Sequence, residues 1–205
     1  MEPNTNPLGR ALGLLIEPRR IMDEIRGKPD LLGPVIILIL GSIFALPVQE
    51  YTQQIYDIYP MPLPRYLSLF TQSIAALLGW LLMGLLYLIF TRILGSKTSY
   101  RHLLSLTGYI QFIPLLGNLI RTAGLVLTGH LITLSPAFIL DYQDRLYSPL
   151  GALLERFNII YLLTLFLLGM GLHRVAGLSR LRASLLIIFF WVLGTVFSVM
   201  GAFLF

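Results

Sequence analysis

Arg121 is the one formal charge in the 38 residues from Leu103 to Leu140, and Gln111, Asn118 and Thr122 accompany it. Asn118 and Thr122 are four apart, with Gln111 seven and eleven positions before them, so on a regular helix these three share a face. A guanidinium beside amides and a hydroxyl can bind a phosphate or carboxylate, and a charge at membrane depth is expensive unless it serves such a purpose. A second reading competes: Arg121 snorkels to the interface while the amides and the hydroxyl join one helix to the next.

Little else in the chain could react. There is no H-E-x-x-H for zinc, no G-x-S-x-G nucleophile elbow, no phosphate-cradling glycine loop and no pair of aspartates on facing spans to share a proton. His102, His130 and His173 lie in three separate parts of the chain without metal-ligand spacing. The absence of cysteine removes disulfides, thiolate metal sites and a cysteine nucleophile together. The expectation is a non-enzymatic protein with no cofactor and no metal.

The elements that would position Arg121 follow from composition. The chain has 205 residues, 56% apolar and 12% charged, against about half and a quarter in soluble domains. Charge-free runs occupy 31–49, 66–91, 103–120, 122–140, 157–173 and 183–205. A hydrocarbon core of about 30 Å takes about 20 helical residues to cross, so several runs can span it, and a soluble single-core fold is excluded. Leu185 to Leu193 is apolar at every position, which the alternating strands of a membrane β-barrel do not allow. The fold class is therefore an all-α integral membrane protein.

Spans are expected at about 31–48, 67–94, 103–125, 157–172 and 183–205. The third presents a difficulty: a straight helix over 103–140 would be about 57 Å long, nearly twice the core. A break near Pro114 is expected, with the part up to 140 able to re-enter. Pro34 and Pro47 bracket the first span, and Pro60, Pro62 and Pro64 forbid a continuous helix just before the second. Tyr51, Tyr56, Tyr59, Tyr66, Tyr142 and Tyr147 suit interfacial belts. With five spans and a cytoplasmic N-terminus, 11 Lys and Arg fall inside and 3 outside; six spans give 10 against 5. The positive-inside rule prefers five, with the C-terminus outside, in the plasma membrane. The net charge of +5 lies in these short loops rather than on one soluble face, so nucleic acid is not a partner.

Residues 1–30 read as a cytoplasmic amphipathic segment without the pattern of a cleavable signal, and the first span acts as its own insertion signal. Leu8, Leu12, Leu15, Ile16, Ile21, Met22 and Ile25 form one face, with Arg10, Arg19, Arg20, Asp23, Glu24 and Arg26 between them. Pro18 predicts two short helices joined near Glu17. The segment lies either in the headgroup plane or on the loops facing solvent.

Two short patches remain. Gly33-Pro34 starts a helix, with the Asp30 carboxylate placed to accept from its first-turn amides. Gly108 admits a neighbouring helix, Tyr109 adds an aromatic with one polar atom, and Pro114 bends the helix beyond. Asp30-Leu31-Leu32-Gly33-Pro34 and Gly108-Tyr109 resemble the D-L-Y-G-P and G-Y signatures of the Yip (Ypt-interacting protein) domain family. Leucine at 32 stands where the family pattern has tyrosine, which removes a hydroxyl contact. The stretch E-P-R-R-I-M-D-E-I, the Pro114-Leu115-Leu116 that follows Tyr109, and Gly171-Leu172 before a basic loop extend the similarity over about residues 8–200. The resemblance implies a cytoplasmic N-terminus and five spans, making 31–205 one Yip-like transmembrane domain. Its eukaryotic members are implicated in vesicle traffic and bind prenylated Rab GTPases. The short N-terminal segment resembles a prokaryotic-type member, for which no Rab partner is expected.

The function expected is that of a scaffold or organiser of membrane partners or bilayer shape. Its partners would be the lipid bilayer and a second copy or other membrane proteins. The alternative is a small transporter or lipid-translocating protein that uses the polar patch around Arg121.

Overall fold

A computed structural model describes residues 6–56, 64–141, 144–145 and 148–204. The expected features at Tyr59, Pro60, Pro62, Tyr142 and Tyr147 lie outside these residues, as does the side chain of Tyr56. The described residues form an all-α fold without strands.

Two short helices open it: α1, Pro7–Ile16, and α2, Pro18–Gly27. Each has proline in its first turn, where no helical N–H is lost. The Asn6 side chain caps α1 by accepting from the Leu8 amide at 3.1 Å. The helices turn sharply at Glu17, and Gly13 makes room, since a Cβ there would lie 2.7 Å from the Ile21 side chain. Here the expected single apolar face divides. Ile21, Met22 and Ile25 of α2 are fully buried. In α1 the buried residues are Arg10, Ala11, Gly13 and Leu14, whereas Leu8, Leu12, Leu15 and Ile16 point outward. Arg10, expected on a solvated charged face, is 2% exposed. The small side chains of Ala11 and Gly13 let this face of α1 pack closely, and the arginine goes in with them.

Next come α3, Leu32–Tyr56, and α4, Arg65–Ile93. The expected end of the first helix at Pro47 is corrected: α3 runs through Pro47 for another two turns and more. Proline leaves the Ile43 carbonyl without its usual donor, a gap tolerated in membrane helices where neighbours supply hydrogen bonds. At that level the Thr122 hydroxyl donates to the adjacent Phe44 carbonyl at 2.6 Å. Beyond Pro47, Gln72 Nε2 donates to Gln49 Oε1 at 2.8 Å, and Arg65 pairs with Glu50 at 3.1 Å.

The expected break near Pro114 falls instead at Gln111, between α5, Tyr100–Ile110, and α6, Phe112–Thr128. Proline disturbs the turn before it, because its ring and missing N–H act on residue i−4, here Ile110. Pro114 itself sits in the first turn of α6, where it is harmless. Gly129 at φ +70° ends α6. No helix continues to 140; the chain passes into non-helical backbone and a 3₁₀ turn, Pro136–Ile139. Beyond residue 148 come α7, Pro149–Glu155, α8, Ile159–Arg174, and α9, Arg180–Leu204.

Among the described residues four segments are long and apolar enough to cross a membrane: Leu32–Gln53, Arg65–Ile93, Tyr100–Thr128 and Arg180–Phe203. The pair α7 and α8, bent by 52°, makes a fifth if taken as one broken span. The α5–α6 segment is the hub, 67% buried, against 6% for the last helix. α5 packs on α1, α2, α3, α4 and α8, while α6 lies along α3 and α8.

Candidate functional site

The hub brings the two patches together. Tyr109 on α5 is fully buried, and its hydroxyl donates to Asp30 Oδ2 at 2.7 Å. The same carboxylate oxygen accepts from Arg10 Nη1 at 2.6 Å, which also donates to the Lys28 carbonyl at 3.0 Å. Asp30 Oδ1 accepts from the Gly33 amide at 3.1 Å, capping the start of α3. Arg10 Nε lies 3.7 Å from Glu24 Oε2, and Glu24 in turn lies 3.6 Å from Arg20. One carboxylate thus ties α1, the start of α3 and α5 together. The Arg10 guanidinium is paired and hydrogen-bonded, the condition for holding an arginine out of water.

The glycines of both patches are required by close approach. A Cβ on Gly33 would overlap the Tyr109 hydroxyl, and one on Gly108 would overlap the Pro34 ring and lie 3.0 Å from Trp80 Nε1. The fit is reciprocal: tyrosine lies over one glycine and proline over the other. Trp80 Nε1 donates to the Leu104 carbonyl at 3.0 Å beside this contact, and Leu31 packs on the same Trp80 cluster. Leu32 is 66% exposed, so the residue that departs from the family pattern points away from the contact. Sequence reasoning missed Arg10. The signal was present in Ala11 and Gly13, whose small side chains mark the packed face of α1.

The polar set around Arg121 separates. Thr122 bonds to α3 as described, and Asn118 Nδ2 donates to the Gly41 carbonyl of α3 at 3.4 Å. Gln111, at the break, lines a small cavity of about 200 Å³ with Gln72, Ser42 and Asn118 between α3, α4 and α6. Arg121 points elsewhere, into a cavity of about 320 Å³ shared with Asn118, Glu155, Arg156, Tyr161 and Ser198. Arg156 there donates to the Gly194 carbonyl at 2.7 Å and lies over the Tyr161 ring. Gln111, Asn118 and Thr122 thus keep the shared face that the helical period gave them, toward α3, and Arg121, one position off that face, opens to a different cavity.

His102 and His173 serve local structure. His102 Nε2 donates to the Arg26 carbonyl at 3.1 Å while Nδ1 accepts from Ser99 at 2.7 Å, and His173 Nδ1 donates to the Leu178 carbonyl at 2.7 Å. Among the described residues no three His, Asp or Glu side chains are grouped to hold a metal.

Comparison with known proteins agrees with this architecture. The chain is similar to the membrane protein YknW of Bacillus subtilis, 24% identical over 93% of this chain and 92% of the relative. No solved structure matches it. The Yip1 domain model matches residues 12–201, a stretch that takes in Asp30, Tyr109 and the hub. With both patches in contact through the Asp30 carboxylate and the match running through nearly the whole bundle, this multi-span membrane protein belongs to the Yip1 domain family.

Proposed function

We propose that the protein is a non-enzymatic organiser of the cell membrane, assembling membrane partners or a second copy of itself, or setting local bilayer shape. The observation that carries this reading is how the family patches are used. Both Asp30 oxygens, the Tyr109 hydroxyl and the Arg10 guanidinium are engaged with one another or with backbone. A site for chemistry keeps a reactive atom open, whereas these groups are consumed in fixing the angle between the N-terminal helices and the bundle. The N-terminus lies on the cytoplasmic side and the C-terminus outside, as the positive-inside rule asks. The outward apolar face of α1 supports a position of that helix at the headgroup boundary. Affinity capture from mild detergent, with the chain carrying a tag, tests the reading: a stable complex with itself or a defined membrane protein is expected. A chain that comes out alone at every detergent concentration counts against it.

A second reading, a small transporter or lipid-translocating protein, is favoured by the cavity of about 320 Å³ that reaches Arg121. Reconstitution of the native chain and Arg121→Ala in liposomes separates the two. Equal movement of lipid or solute with both, or none with either, removes the transporter.

A further inference from the structure

At the end of the bundle that carries α2 and the loop between α8 and α9 lies an open cleft of about 520 Å³. Arg19 of α2, His173 and Arg174 from the last turn of α8, and Arg180 from the first turn of α9 surround its mouth. Two of these groups are already engaged. Arg174 Nη1 pairs with Asp23 at 2.7 Å, and His173 donates to the Leu178 carbonyl. Arg19 and Arg180 are exposed, and neither has an ion pair or side-chain hydrogen bond among the described residues.

The cleft changes character with depth, on both helices in step. From its mouth α8 presents Gly169 and Met170, then Leu165 and Phe166. α9 presents Ser184 one turn below Arg180, then Ile187 and Ile188. From Arg180 to Ile188 is about 12 Å along the helix, enough to pass from the phosphate level through a headgroup layer of about 5–8 Å into the hydrocarbon. Phe166 is 63% exposed and Ile188 55%, so the apolar part of the cleft opens sideways to the hydrocarbon.

Charge and depth together select the occupant. A soluble anion would satisfy the two arginines and leave the apolar floor empty. A zwitterionic lipid would cover the floor but bring its choline cation up against the two guanidiniums, offsetting what its phosphate gains there. We propose that this cleft binds an anionic phospholipid, its phosphate at Arg19 and Arg180 and one acyl chain along the groove between α8 and α9. Basic clefts between membrane helices hold anionic headgroups in this way, through point charges at the surface and dispersion below. The inference rests on the bundle lying in a bilayer, and it stands whether the protein assembles partners or moves solutes.

The test is native mass spectrometry of the full chain in detergent, titrated separately with phosphatidylglycerol and phosphatidylcholine. Phosphatidylglycerol is expected to bind about thirtyfold more tightly, the scale of two headgroup contacts. Arg19→Gln with Arg180→Gln removes that preference, by weakening phosphatidylglycerol far more than phosphatidylcholine, and leaves thermal stability unchanged, since both side chains are exposed. Arg92→Gln with Lys97→Gln removes the same charge at exposed positions outside the cleft and retains the preference. Equal loss from the two double variants, which would mean diffuse surface charge, overturns the proposal. So does full retention in the cleft variant. Displacement of the lipid by glycerol 3-phosphate at matching concentration overturns it as well, because the apolar floor would then contribute nothing.

Discussion

Tyr109 and Asp30, 79 positions apart in the chain, are joined by a 2.7 Å hydrogen bond from the phenol to the carboxylate. Through Asp30 the tyrosine also meets Arg10, so a short polar relay runs from the N-terminal helix to the hub of the bundle. Such a relay constrains geometry at little cost while it is complete, and at high cost when one member is missing.

Loss of Asp30 is therefore expected to be worse than loss of the pair. Asp30→Asn takes from Arg10, which is 2% exposed, its nearer counter-charge and leaves the Glu24 carboxylate at 3.7 Å, and should cost about 3 kcal/mol. Arg10→Met alone leaves the carboxylate partly solvated, 31% exposed, and should cost less. The double variant Arg10→Met with Asp30→Asn should be more stable than the sum of the single losses. Thermal unfolding in detergent, followed by circular dichroism, measures all three; strict additivity would mean that the two residues do not act as a unit.

Glycine spacing gives a paired test. Gly108→Ala places a methyl into the Pro34 ring and should destabilise by about 1–3 kcal/mol. Gly79→Ala, on α4 with no atom within 4 Å of its added Cβ, should be neutral or gain about 0.5–1 kcal/mol from helix propensity. The same unfolding assay reads both.

Leu32→Tyr restores the residue of the family pattern. Because position 32 is 66% exposed, stability should stay within about 0.5 kcal/mol of the native chain. A larger change in the detergent melting curve would show that this outward position is packed after all.

Sidedness can be read directly, since the chain contains no cysteine. Lys97 and His130 are exposed and flank the two ends of the α5–α6 segment. In right-side-out vesicles His130→Cys should react with an impermeant maleimide, and Lys97→Cys only after permeabilisation. The reverse pattern would invert the proposed topology.

The sequence by itself determined the class of molecule. Long charge-free runs admit few solutions in water, and the proline at 18 was enough to divide the N-terminal segment into α1 and α2. It also marked Asp30, Gly33, Gly108 and Tyr109 as special, each for a local reason such as a helix cap, a close approach or a polar tip. Local period and propensity could not say that these reasons were one reason. Only the tertiary structure decided that Tyr109 lies over Gly33 and that Pro34 lies over Gly108. It also turned Arg10 inward beside Asp30, and it set Asn118 and Thr122 against carbonyls of α3. A helical repeat assigns a residue to a face, but which neighbour meets that face depends on how helices from distant parts of the chain cross. In a bundle tied by one half-buried carboxylate, that crossing is settled by pairing charge and filling space, neither of which is visible along a single strand of sequence.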